Sequence, residues 1–456
     1  MKESDMLNWK NPASKVGIAE LAAYLRNGVV TGRSLVEASL SAIDEADNCR
    51  KAFITINNEV ALAQAARWDE QRRVGRPVPM FAGIPISVKD LFDVDGQITN
   101  AGSKILPPVP ASRHATAIQR LTDAGFVILG RTHMTEFAYS GLGLNCHFAD
   151  PDCVWNPSDG RVPGGSSSGA AIATALGAGI AGIGTDTGGS CRIPASFNRL
   201  VGFKPTARRI PMDGMIPLSP KLDSVGAIGR TVRCVTILTA LMANEPLPNV
   251  QLRMPKKLLI PENYFFDGID RDVELIFQRF AYWLESKGVQ IEKKVVRSLD
   301  SVAALNRNGG IVAAESYSWH KTLLEKNKSD YDPRVLVRIQ RGSDQTEQET
   351  AELYSAREAF IRDLGYELKG FDALLVPTTP FVPPRKADCI GDAEYTQINA
   401  AVLRNPMVAN LADGCSITLP ISSPDEPPIG AMLIGQSLTD SKILAWAGAL
   451  HPSFTP

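Results

Sequence analysis

What the chain lacks narrows its function first. Lys and Arg total 48 against 49 Asp and Glu, leaving a formal net charge of -1. No basic excess is available to neutralise a phosphate backbone or to hold an anionic bilayer, so neither nucleic acid nor membrane is expected as a partner. The seven cysteines (Cys49, Cys146, Cys153, Cys191, Cys234, Cys389 and Cys415) are an odd number at wide spacing without a C-x-x-C pair. That pattern argues against a disulfide framework and reads as reduced thiols of a cytoplasmic protein. Five histidines, His114, His133, His147, His320 and His451, show neither H-E-x-x-H nor another close ligand spacing, so no metal and no cofactor is expected. No apolar run is long enough to cross a bilayer, and no apolar stretch follows Lys2 to make a signal peptide.

At 456 residues the chain can bury one large core or two smaller ones. Ile18, Leu21, Ala22 and Leu25 fall at helical spacing before an Asn27-Gly28 stop, and Ser34 to Glu37 reads as a capping box opening a second helix. A third helix is expected over Val60 to Arg73. The run Gly83-Ile-Pro-Ile-Ser-Val-Lys89-Asp90 is short, apolar and β-branched, and reads as a buried strand that delivers Lys89 to a sheet edge. Helix-then-strand patterns recur at Thr116 to Gly130, Val273 to Glu292 and Glu347 to Pro377. Late strands are expected at Cys415 to Ile421 and Ile429 to Ile434, and a last helix over Asp440 to Leu450. Such alternation predicts an α/β sandwich rather than two unrelated domains. The charged stretches Glu325 to Asp332 and Gln340 to Glu349 read as solvated surface.

Between Gly160 and Ala195 the chain is rich in glycine and serine, has no histidine, and carries one aspartate, Asp186. Three short motifs match it. Gly177-Ala-Gly179-Ile-Ala-Gly182 is a G-x-G-x-x-G, but it follows a small-residue helix rather than a strand, so it reads as a helix end and tight turn. Gly165-Ser-Ser167-Ser-Gly169 is a G-x-S-x-G that would make Ser167 an esterase nucleophile. The segment before it, Asn156 to Pro163, is polar and broken by two prolines where that elbow needs a strand. Gly164 to Gly169 could form an anion nest, yet it lacks the lysine of a phosphate loop.

The remaining reading combines Lys89, the serines at Ser166 to Ser168, and Thr187-Gly188-Gly189-Ser190. With Gly83 to Asp90, Pro163 to Gly169, Gly184 to Ser190, Gly202 to Thr206 and Leu222 to Gly226, the set resembles the amidase signature family over most of the chain. The resemblance implies a single-domain α/β/α sandwich around a large mixed β-sheet, spanning 1–456, with a helical segment over 1–75 packed on it. It further implies Ser190 as nucleophile, Ser166 on a cis peptide bond as proton bridge, and Lys89 as base. Such a relay needs no imidazole. The N-H groups from Thr187, Gly188, Gly189 and Ser190 are candidates for an oxyanion hole. Asp186 and Arg192 look like an ion pair bracing the turn, and Cys191 like a small buried filler.

The implied reaction is hydrolysis of a carboxamide on a small molecule through a seryl acyl-enzyme. The alternatives are the catalytic subunit of a tRNA-dependent amidotransferase, and the Ser167 esterase. A homodimer is compatible with the family. Phe137, Tyr139, Leu142 and Leu144 resemble the family's pocket-lining segment, and their apolar character suits an aryl or alkyl acyl group. For Lys89 to accept a proton it must be neutral, which burial among Ile84, Ile86 and Val88 would favour; Asp90, next along the strand, should face the other way.

Overall fold

Helices form where side-chain period and capping direct them. Ile18, Leu21, Ala22 and Leu25 are all buried along one face of the helix Ile18–Arg26. The next helix, Gly32–Glu45, starts three residues before the expected box. Ser34 N donates to Thr31 Oγ1 at 3.0 Å, and Thr31 N donates to Ser34 Oγ at 3.2 Å. Thr31 wins because it alone stands in extended backbone before the first turn, where a side-chain oxygen can reach the orphan amides. Glu37, one turn on, pairs instead with Arg33 on the solvent face.

The computed structural model describes residues 16–248 and 251–454. Residues 1–15, read above for a signal peptide and as the start of the helical segment, lie outside the described residues. Among those described, eleven strands form one mixed sheet: β1 (Phe53–Ile56), β2 (Pro85–Lys89), β3 (Val127–Thr132), β4 (Ala181–Asp186), β5 (Val201–Lys204), β6 (Ser224–Gly229), β7 (Lys257–Pro261), β8 (Gln290–Lys294), β9 (Ala373–Pro377), β10 (Cys415–Pro420) and β11 (Gly430–Gly435). Their spatial order is β1-β3-β2-β4-β6-β5-β10-β11-β9-β7-β8.

Helices sandwich this sheet. Strands β2 to β6, β9 and β11 are buried at every residue, as strands covered on both faces must be. The helix Ser168–Leu176 packs on β2, β3, β4 and β6, and Val232–Ala243 packs on β5 and β6 together with Ile18–Arg26, Thr116–Asp123 and Asp440–Ser453. The edge strand β8 carries Glu292, Lys293 and Lys294, charges that discourage pairing with another chain. Among the described residues no helix is long and apolar enough to cross a membrane.

Gly177 takes the left-handed conformation at the end of Ser168–Leu176, so the glycine motif is a helix stop, as expected. The charged stretch Glu325 to Asp332 departs from the sequence reading, because Tyr331 and Asp332 are buried. Asp332 caps the helix Pro333–Gln340 by accepting from Arg334 N at 3.0 Å, and takes a further bond from Cys146 N at 3.2 Å. A local carboxylate with two backbone donors and an arginine is satisfied without water.

The parallel pairing of β2 with β4, in the register Ser87 with Gly182 and Val88 with Ile183, sets the site. It brings the carboxyl ends of both strands, Lys89 and Asp186, to the same edge of the sheet. Replacing Thr31 with Ala should lower the unfolding free energy by about 1 kcal/mol in a urea titration, whereas Glu37→Ala should cost less than about 0.5 kcal/mol. The opposite order would return the cap to Ser34 and Glu37.

Candidate active site

Lys89 ends β2 with its side chain fully buried. Its Nζ donates to Ser166 Oγ at 2.8 Å and to Thr185 Oγ1 at 2.9 Å. Burial in the sheet pushes the ammonium down to about 8, against the opposing pull of Cys191, Asp223 and Asp186. Asp90 faces away, as strand alternation requires: it lies 3.3 Å from Arg131 and accepts from Gly102 N at 3.2 Å.

The three adjacent serines have three different surroundings. Ser166 follows a cis peptide bond from Gly165, and its hydroxyl meets Lys89. Ser167 precedes the helix Ser168–Leu176, and its Oγ reaches the Thr185 carbonyl at 3.4 Å. No strand leads directly into it, so the elbow geometry of an esterase is absent at this position. Ser168 Oγ lies 2.8 Å from His133 Nδ1, and His133 Nε2 lies 3.2 Å from Asp150 Oδ1. This serine, histidine and aspartate were not paired by the sequence reading, because nothing in their spacing links them. Ser168 and His133 are buried and do not line the cavity described below.

After β4 the chain turns through Thr187 to Ser190. Arg192 meets Asp186 with two bonds, Nη2 to Oδ1 at 2.8 Å and Nε to Oδ2 at 3.1 Å, both side chains fully buried. The same carboxylate accepts from Gly189 N at 2.8 Å and Cys191 N at 3.1 Å. Although burial opposes ionisation, the Arg192 guanidinium holds the Asp186 carboxyl well below the usual range. Gly189 has φ +123°, and a Cβ there would stand 2.6 Å from Pro406 Cβ. Its N-H is taken by Asp186, so Gly189 drops from the four expected oxyanion donors and serves as the bend itself.

Several partners of this turn were missed in the sequence. Thr187 Oγ1 donates to Asp223 Oδ1 at 2.5 Å, and Asp223 Oδ2 accepts from the amides of Leu218 and Ser219 at 3.0 and 3.1 Å. Burial pushes the Asp223 carboxyl up to about 6. Asn410 donates to the Asp186 carbonyl at 3.0 Å and accepts from Arg192 at 2.7 Å. Asp223 lies within the family-like segment Leu222 to Gly226, whereas Asn410 sits in the helix Asp392–Leu411 with no local mark. Cys191 is fully buried, and burial pushes its thiol up to about 12, so it stays protonated at neutral pH.

A cavity of about 540 Å³ opens beside this turn, lined by Thr187, Gly188 and Ser190 but not by Gly189. Of the residues expected to bind substrate, Tyr139 lines it. Phe137 instead packs against Trp319, His320 and Tyr331, and Leu142 lies in a buried cluster with Ile193, Phe197 and Val402. The course of the backbone in this segment turns those two side chains into the core. Arg334, Arg338, Arg341 and Arg404 also line it, which the apolar reading of the pocket did not anticipate. Among the described residues no group of three His, Cys, Asp or Glu is arranged to hold a metal ion.

The Amidase family model matches residues 34–444, and the chain belongs to that family. It is 31% identical over 445 residues to a 2-amino-5-chloromuconic acid deaminase of Comamonas testosteroni, covering 95% of both chains. It is 30% identical to a glutamyl-tRNA(Gln) amidotransferase subunit of Lacticaseibacillus paracasei, covering 96% of each. A crystal structure of an amidase superposes with a TM-score of 0.88 at 30% identity, covering 96% of this chain and all of that one. The reaction class is therefore hydrolysis at a carbon-nitrogen bond.

Removing one partner of the buried pair leaves an uncompensated charge. Arg192→Met should destabilise the fold by about 3–5 kcal/mol in a urea titration, whereas Arg33→Ala, which breaks the exposed pair with Glu37, should cost less than about 1 kcal/mol. Equal effects would mean that Asp186 is held by its backbone donors alone.

Proposed function

We propose that the protein hydrolyses the carboxamide of a small molecule to a carboxylate and ammonia or an amine, through an acyl-enzyme on Ser190. The observation that carries this reading is the contact of Lys89 Nζ with Ser166 Oγ at 2.8 Å, fully buried, with the lysine pushed down to about 8. A substantial fraction of Lys89 is then neutral near physiological pH and has a lone pair to offer.

In the first half-reaction Ser190 Oγ attacks the amide carbon and its proton passes through Ser166 to Lys89. Negative charge developing on the carbonyl oxygen is met by the N-H groups of Thr187, Gly188 and Ser190. The carbon-nitrogen bond breaks as Ser166 returns a proton to the leaving nitrogen, replenished from the Lys89 ammonium. In the second half, water attacks the ester and gives its proton to the same relay, releasing the carboxylate and restoring Ser190. Ser190→Ala should abolish turnover, and a fluorophosphonate should label Ser190 in the wild type. Labelling at Ser167 would transfer the nucleophile to that residue.

The pH profile follows from Lys89. Because the neutral amine is the active form, kcat/KM should climb by about tenfold per pH unit below the pKa and level off above about pH 8 to 9. Lys89→Arg keeps the charge but stays protonated throughout, so it should be nearly inactive across the whole range. An arginine variant with most of the wild-type rate would reduce Lys89 to a binding charge.

The likeness to amidotransferase subunits supports a second reading, in which the same centre releases ammonia inside an assembly. Affinity purification at native expression decides between the two: a stoichiometric partner supports the assembly, and a stand-alone active protein supports the hydrolase. A cytoplasmic location belongs to either reading.

A further inference from the structure

The cavity beside Ser190 is strongly one-sided in charge. Arg334, Arg338, Arg341 and Arg404 line it, against a single acid, Asp392. Two of these arginines are already engaged. Arg334 pairs with Asp332 at 2.6 Å, and Arg404 donates to the carbonyls of Phe265 and Asp267.

Arg338 and Arg341 differ. Among the described residues neither has a carboxylate within ion-pair distance, and the ionisable groups acting on Arg338 are two tyrosines, Tyr139 and Tyr395, and Arg341 itself. Arg338 lies over the ring of Tyr139, its guanidinium carbon 4.6 Å from the centroid, and its Nε is buried without a hydrogen-bond partner. Stacking and a side-chain hydrogen bond to Tyr139 hold the guanidinium, while its Nε remains for a ligand. Arg341 follows three residues on, at the start of the turn Arg341–Asp344, so the two cations share one side of the segment. Like charges drawn together in a half-buried wall repel one another, and an anion between them relieves both.

The shape of the rest of the wall says what carries that anion. Leu218, Val312, Val337 and Met407 contribute apolar surface to the same cavity, suited to a short hydrocarbon chain. The flat, two-oxygen edge of a carboxylate matches a guanidinium fork. We propose that Arg338 and Arg341 bind a carboxylate of the substrate itself, so that the amide presented to Ser190 is the monoamide of a dicarboxylic acid. The inference rests on the amide-hydrolysis reading and names its substrate class. The product is then a dicarboxylate, held by the same arginines until release.

The test has two arms. In the first, kcat/KM is measured for a series of amic acids from malonamate to adipamate and for neutral amides of matching length, with wild type, Arg338→Met and Arg341→Met. The wild type should prefer at least one amic acid over its neutral partner, and each variant should lower that preference by about 30-fold or more, the scale of a lost charge-assisted bond. Neutral amides hydrolysed as well as the acids, with a ratio that neither variant moves, would overturn the carboxylate pocket and leave amide hydrolysis intact. In the second arm, calorimetry follows glutarate and adipate binding to Ser190→Ala protein with and without Arg338→Met. Binding that the arginine variant weakens by a similar factor supports the pocket even if no amide in the series is turned over, in which case only the hydrolysis reading fails. Absence of binding for every dicarboxylate overturns the inference.

Discussion

The Asp186 carboxylate is the constraint around which the catalytic end of the sheet is organised. It accepts two bonds from Arg192 and one each from the amides of Gly189 and Cys191, so a single side chain closes the turn and anchors the helix after it. Arg192 extends the same network to Asn410 and to the Pro406 carbonyl, more than two hundred residues along the chain. A buried ion pair is a poor source of net stability because both charges must leave water. What this one supplies is position: the backbone leading through Ser190 is referenced to a strand end, a helix start and a distant helix at once. Movement of any one would break bonds that have no solvent to replace them.

Position alone would not make Lys89 useful. Its pKa falls because the sheet around it is dry, and the sheet is dry because helices cover both faces of strands that have no polar side to spare. The same cause acts on Lys204, fully buried at the end of β5, which is also pushed down to about 8 while donating to the carbonyls of Pro205 and Gly414. Burial shifts both lysines the same way although the charged groups around them differ apart from Asp186. Lys89 meets two hydroxyls where Lys204 meets two carbonyls, so the two amines differ in their partners and not in the direction of their shift.

Much of the fold was legible because its strands are short apolar runs set between amphipathic helices, a pattern that survives without neighbours. The helix-then-strand pattern over Glu347 to Pro377 ends where β9 ends, and the strand ending at Lys89 was read to within two residues. The turn through Gly188 and Gly189 was legible as a close-approach bend, and Gly189 does take positive φ there. Less legible were contacts whose two halves lie far apart. Thr185, which holds Lys89 beside Ser166, reads as an ordinary strand residue. Arg338 and Arg341 have the spacing of solvent-facing charges on any helix, and nothing local shows that the helix wall closes over them. Phe137 and Leu142 failed for the opposite reason: apolar residues near a site are as easily core as lining, and only the direction of the backbone separates the two.

The trio of Ser168, His133 and Asp150 bears on how active sites are recognised at all. Its distances, 2.8 Å and 3.2 Å, fall in the range that a geometric template for serine hydrolases would accept. Ser168 nevertheless opens a helix, is buried away from the cavity lining and also donates to the His133 carbonyl at 3.3 Å. Distance templates applied to this molecule would therefore return this trio, two residues from Ser166, and pass over the contact of Lys89 with Ser166, which contains no imidazole. What separates the two sets is access, since Ser190 lines the cavity and neither Ser168 nor His133 does, a property of empty space that a template of a few interatomic distances does not contain.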